Sequence, residues 1–349
     1  MPESTRLAAV AAHGLAGSRN DLPGASLSDL EWFDLVQGCV AADLVGFLAA
    51  AATAGHLPVT PGQADELAAL DAERAGSTRL VERRAVTVAA VLAAAGIDHR
   101  IVDGPARRLA YGDTDVRHVR CVQVLVPGDR LPEAEALQGP PPVGRDGRPA
   151  HRRERLVLRA ALVATEGSGD PPAGGQPPSG LAGGTGPDLN RLGSPARLAL
   201  DGREVAVLDL EQQLVVACAD VAASPAPTLA LLRDVAQIAL SPAFDGGWVR
   251  RLAESNKLAP ALAQGVARAW STFDLADKTE LSVWALRMGG GRRDRRAPRP
   301  APAASRPGLA QRVLGRRQPG PAAGLPPVPP SMTDAVRASP ARSHRSSRR

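Results

Sequence analysis

Residues 95–127, AGIDHRIVDGPARRLAYGDTDVRHVRCVQVLVP, decide how the rest of the chain is read. Gly96 follows a long Ala/Leu-rich segment and suits a helix C-cap, where a left-handed residue costs glycine least. Ile97 to Val102 is a short candidate strand. Asp103-Gly104-Pro105 has turn chemistry, and Ala106 to Tyr111 has room for one or two helical turns. Val119 to Val126, VRCVQVLV, is the clearest strand of the chain, since branched residues fit a pleated, buried surface. Pro127-Gly128-Asp129 ends it, and Leu131 to Leu137 reads as the next helix. A strand, a turn, a short helical piece and a second strand between helices predict an α+β fold, with a small mixed sheet flanked by helices and a mainly helical C-terminal half.

Working outward, Ser28-Asp29-Leu30-Glu31 has the spacing of a capping box. The apolar positions Leu30, Phe33, Leu35, Val36, Val40, Leu44, Phe47 and Leu48 extend that helix to Gly55. Thr60-Pro61 starts another, with proline at the first helical position, and it runs to Ala95 with a break expected near Gly76. Leu156 to Ala164 reads as a buried strand or short helix. Arg203 to Leu208 reads as a strand, and Asp209 caps a helix over 210–222. Helices follow over 228–240, 248–255, 259–273 and 278–288. The division this predicts is a flexible N-terminal arm (1–26), a helical arm plus α/β core (27–166), a Gly/Pro-rich disordered insertion (167–195), a helical part (196–288) and a disordered Arg/Pro-rich tail (289–349).

Charge is unevenly spread. The chain carries +6 overall, but residues 290–349 hold 14 Arg and 2 Asp, so residues 1–289 are net negative. The tail carries no aromatic side chain for base stacking, which limits it to weak, nonspecific, salt-dependent nucleic-acid binding. The run Pro326-Pro327-Val328-Pro329-Pro330 offers a polyproline ligand to a protein partner. Three well-separated cysteines, Cys39, Cys121 and Cys218, exclude a disulfide framework and a CxxC zinc site. No apolar run approaches 18 residues and the first residues lack a signal-peptide pattern, so a cytoplasmic protein without a membrane partner is expected.

The ordered set Ala95-Gly96-Ile97, Val102-Asp103-Gly104-Pro105-Ala106, Tyr111-Gly112-Asp113, Arg117 and Val124-Leu125-Val126-Pro127 resembles a bacterial family of uncharacterised nucleotidyltransferases of the polymerase-β-like superfamily. Gly202-Arg203-Glu204-Val205, Leu208, Leu214 and Leu232-Arg233-Asp234-Val235-Ala236-Gln237 resemble its C-terminal helical part. The resemblance spans roughly residues 28–288. It implies a nucleotidyltransferase-like sheet, with Gly104, Pro105 and Arg117 as possible nucleotide-binding residues. The departures fall on the reactive positions. Where the family carries a Lys before Gly-Pro-Ala, this chain has Asp103. Where it carries Asp-x-Asp on the strand, this chain has Cys121 and Gln123. The third acidic position falls near Leu156-Val157-Leu158-Arg159, and two family histidines correspond to Val216 and Asp220.

These changes bear on magnesium. Nucleotidyl transfer sets Mg2+ between carboxylates and a triphosphate, and Mg2+ wants hard oxygen ligands. Two residues separated by one on a strand share a face, so Cys121 and Gln123 keep the placement but supply a thiol and a neutral amide. The degenerate positions Asp103, Cys121 and Gln123 therefore predict no catalytic residue, no metal and no cofactor, and a protein acting as a binding or scaffolding pseudoenzyme for a nucleotide or a protein partner. Two alternatives stand beside it: an active Mg2+-dependent enzyme moving NMP from an NTP to an acceptor, and a nucleic-acid or partner-binding protein working through its basic tail.

Smaller expectations complete the reading. Asp113-Thr114-Asp115 are solvated loop acids. Arg117 pairs with Asp113 or Asp103. His118 is a surface or turn residue. Cys121 is a strand thiol buried in the core, or a nucleophile or soft-metal ligand. Arg233 and Asp234 form an ion pair among their neighbours or line the site. His13, His56, His99 and His151 show no ligand spacing.

Overall fold

A computed structural model describes residues 2–112, 116–138, 155–159, 194–276 and 279–289, all within the compact unit Met1–Pro300. The expected insertion and tail lie outside the described residues, save for Ser194, Pro195 and Gly289 at their edges, as does Asp113-Thr114-Asp115.

The chain is α+β. Its five-stranded mixed sheet has the order β3-β2-β1-β5-β4. The strands are β1 (Arg100–Asp103), β2 (Cys121–Leu125), β3 (Arg155–Arg159), β4 (Ala196–Leu200) and β5 (Arg203–Val207). Two hairpin-like antiparallel pairs, β1/β2 and β4/β5, join through a parallel β1/β5 contact, and β3 adds in parallel beyond β2. The β1/β2 register sets Ile101 opposite Val124 and Asp103 opposite Gln123, with an irregularity between Ile101 and Asp103. Such an irregularity re-aims side chains at the end of a strand.

The sheet separates two sets of helices. On one face, Ile101, Val122, Val124, Val205 and Val207 pack against Val81, Ala85, Val88 and Leu92 of α4 (Pro61–Ala94) and Ala134 of α6 (Leu131–Gln138). On the other, Val102, Leu125 and Leu208 meet Val216 of α7 (Leu210–Ala223). Beyond α7 lies the larger core. It is built from α1 (Glu3–Ala12), α2 (Asp29–Ala42), α3 (Val45–Thr53), α8 (Leu229–Ala239), α9 (Gly246–Ser255), α10 (Ala259–Thr272) and α11 (Glu280–Gly289).

Helix starts follow the sequence signals. Ser28 and Glu31 form the expected capping box, and Thr60 with Gln63 forms a second, with Pro61 at the first helical position. Each such cap is worth about 1 kcal/mol. Asp209 caps α7 through the Gln212 N–H at 2.7 Å. Four readings need correction. Residues 3–12, expected within a loose arm, form α1, and Ala9, Val10, Ala11 and Ala12 are buried. The helix expected from residue 28 to 55 is broken at Asp43, which takes a left-handed φ of 59° and pairs with Arg120. The break expected at Gly76 does not occur, and α4 runs unbroken for 34 residues. Strand β4 lies where no strand was expected, beside the Gly/Pro-rich stretch. Among the described residues no helix is long and apolar enough to cross a membrane.

Candidate functional site

The site forms where β1 ends. The chain leaves Asp103 through a 3-10 turn (Gly104–Arg107) into the single helical turn α5 (Arg108–Tyr111). Gly104 is required here on two counts. Its φ is +73°, and a Cβ would lie 2.3 Å from the Cys121 carbonyl oxygen of the neighbouring strand. Only a residue without a side chain lets the turn lie this close to β2. Pro105 follows at the start of the turn and is buried.

Asp103 folds back onto its own turn. Its Oδ1 accepts from the Gly104 N–H at 2.7 Å and from Arg107 Nε at 2.8 Å. Arg107 is buried, and its Nε also stands 3.9 Å from Oδ2 of Asp234 on α8. Asp234 is the hub. It is 1% exposed, and it accepts from Tyr111 Oη at 2.8 Å, Arg117 Nε at 3.0 Å and Arg117 Nη2 at 3.0 Å. Arg117 spends its remaining nitrogen, Nη1, on the His118 carbonyl at 2.7 Å. Arg233, the residue before Asp234 on α8, donates to Gln237 Oε1 at 2.9 Å and lies over the Phe47 and Tyr111 rings. Gln237 in turn donates to the Ala110 carbonyl at 3.1 Å.

The electrostatics follow from this packing. Burial opposes the Asp103 charge, but the guanidinium of Arg107, its hydrogen bond, Arg117 and the Gly104 N–H outweigh it and hold the carboxyl at about 2. Burial likewise opposes the charge on Arg117, and the Asp234 carboxylate reverses that, raising it above the ordinary arginine range. Burial and Asp234 together push the Tyr111 hydroxyl up, so it remains a proton donor. Two guanidiniums, Arg107 and Arg117, thus share two carboxylates, Asp103 and Asp234, in a largely buried space. Opposite charges buried in this way are mutually dependent, because each neutralises the desolvation of the others.

Asp103, Cys121 and Gln123 come together. Gln123 sits opposite Asp103, and Cys121 lies two residues back on the same strand. Both alternate with Val122 and Val124, so they face the α7 side of the sheet. Val216 of α7 packs against that same side. Beside this cluster, Arg107 Nη1 and Gln123 Oε1 are enclosed without a hydrogen-bond partner among the described residues.

The donor set does not fit magnesium. The hard oxygen nearest the strand, Asp103, is committed to Arg107 and Gly104. Its companions are a thiol and an amide, and the Arg107 guanidinium already occupies the carboxylate. A divalent ion here would displace a guanidinium and then be repelled by the remaining ones. Among the described residues no group of three or more His, Cys, Asp and Glu is placed to hold a metal ion.

Several local expectations change. Arg117 pairs with Asp234, 117 residues away, rather than with Asp103, and Asp113 lies outside the described residues. His118 is no surface residue. It is 6% exposed, with Nε2 2.8 Å from Asp71 Oδ1. Cys121 is only partly buried and not in a disulfide. Asp234 joins the site, in the pairing role read for it and not with Arg233. Arg107 was not singled out, though its spacing four residues after Asp103 on a turn is the signal for that pair. No protein-family model matches the chain, and no curated protein or solved structure is significantly similar to it.

Proposed function

We propose that this chain is a nucleotidyltransferase-like protein that has lost metal chemistry and acts in the cytoplasm as a binding or scaffolding protein. The observation that carries the reading is the network around Asp234. Where transfer chemistry needs free carboxylates around Mg2+, this chain places Cys121, Gln123 and an Asp103 already neutralised by Arg107. The network links the sheet (Asp103), the turn (Arg107), the segment before β2 (Arg117) and α8 (Asp234). Such a brace suits a rigid frame that presents surfaces to a nucleotide or protein partner. Gly104, Pro105 and Arg117 keep their resemblance to nucleotide-binding positions, but Arg117 is engaged and Gly104 is packed against β2.

Turnover tests the reading. The full chain, given each of the four NTPs with Mg2+ or Mn2+, is expected to release no pyrophosphate above buffer. Release that disappears in Asp103→Asn overturns it.

The tail supports a second reading. Fourteen arginines against two aspartates over residues 290–349 give it the charge for phosphate-directed binding. Binding of RNA or DNA that vanishes between low and physiological salt, with no sequence preference, is the signature expected of it.

A further inference from the structure

The fold brings together two histidines that lie 43 positions apart in the sequence. His13 directly follows α1, and His56 lies just beyond the end of α3. Their ring centroids are 5.1 Å apart, with the planes at 62°. His13 is half-buried and His56 exposed, so solvent reaches the pair.

We propose that His13 and His56 form a two-imidazole site for a borderline divalent transition metal such as Zn2+ or Cu2+, with water in the remaining coordination positions. The separation is right for it. Two imidazoles on one tetrahedral ion at Zn–N of about 2.0–2.1 Å place their centroids roughly 5.2 Å apart. Imidazole nitrogen suits this class of ion, whereas Mg2+ prefers oxygen.

His13 caps the C-terminus of α1, and His56 lies three residues past the last residue of α3. The opposing charge is Arg233, on the inner side. It is buried and occupied by Gln237, by the Ala12 carbonyl at 3.5 Å and by the Phe47 ring. With only two protein ligands the site is an exchangeable one, and a bound ion would clamp α1 to α3.

The competing explanation of the same geometry is simple edge-to-face ring packing, which spans about 4.5–7 Å. Metal titration separates the two. The untagged full chain, stripped with chelator, is titrated with Zn2+ by calorimetry and with Cu2+ by electron paramagnetic resonance, alongside His13→Ala, His56→Ala and His99→Ala. His56→Ala changes an exposed ring and keeps the fold. We expect micromolar binding in the parent and in His99→Ala, and at least tenfold weaker binding in each of His13→Ala and His56→Ala. The copper spectrum of the parent should show two imidazole nitrogens. No binding by the parent up to millimolar Zn2+, or affinity unchanged in either His13→Ala or His56→Ala, overturns the site.

Discussion

Replacing Asp234 by asparagine strikes the one carboxylate on which the buried network converges. The substitution keeps size and one acceptor oxygen but removes the charge. Asp234 accepts from Tyr111 Oη at 2.8 Å and from two Arg117 nitrogens at 3.0 Å, and it faces Arg107 at 3.9 Å. With Asn there, one acceptor oxygen remains, but the charge that faces Arg117 and Arg107 is gone, leaving them the His118 carbonyl and Asp103 as their other partners. Removing one partner of a buried ion pair costs about 3–5 kcal/mol, because the other charge stays desolvated. The retained amide oxygen places Asp234→Asn near the lower end, at about 3 kcal/mol. For a globular body of this size each kcal/mol moves the midpoint by roughly 2–4 °C, so a fall of roughly 6–12 °C is expected. Circular dichroism through a thermal ramp, paired with urea unfolding, reads both quantities. The double variant Arg117→Met/Asp234→Leu supplies the internal control. It removes both charges and should recover much of the loss, since apolar replacements of a buried pair are often neutral. A midpoint drop under about 2 °C for Asp234→Asn would refute the claim that the network braces the fold.

Three further outcomes follow from the same geometry. Gly104→Ala sets a methyl 2.3 Å from the Cys121 carbonyl at a φ of +73° and should cost about 2–4 kcal/mol, measured by urea unfolding. Asp103 is held at about 2 against roughly 3.9 in an unfolded chain, so its contribution is complete above pH 4 and is lost as pH falls from about 4 to 2. Asp103→Asn should flatten that acid limb of the stability profile. Asp209 is shifted the other way, to about 6, by burial and the neighbouring Glu211. Its ionisation therefore weakens the fold as pH rises from about 4 to 6. Asp209→Asn, which keeps an acceptor for the Gln212 N–H, should be more stable than the parent by about 1–2 kcal/mol at pH 8 and equal to it near pH 4.

Local rules were legible wherever one residue type does one job. Ser28, Thr60 and Asp209 announced helix starts, and Val119 to Val126 announced the central strand β2. Gly104 stood out as a turn residue, though only the fold shows that it must clear a backbone oxygen of β2. What failed was tertiary. Helix α1 is too short and Ala-rich for its periodicity to show, and it is stabilised by burying Val10 and its alanine neighbours in the larger core. The break at Asp43 is set by an ion pair with Arg120 across 77 residues of chain. Strand β4 has ordinary residues and gains its identity by pairing with β5. The site divides in the same way. Strand spacing puts Cys121 and Gln123 on one side, whereas Asp103 is brought opposite Gln123 by the pairing of β1 with β2. The partner that fills the space, Asp234, comes from a helix whose approach no local pattern specifies. His13 and His56 were read as unrelated for the same reason.

The most direct test of the central claim is calorimetric titration of the full chain with an NTP panel, with and without Mg2+. The account predicts that Mg2+ makes no difference, because no free carboxylate pair is available where Cys121 and Gln123 stand. Magnesium-dependent binding that is abolished in Asp103→Asn would contradict it.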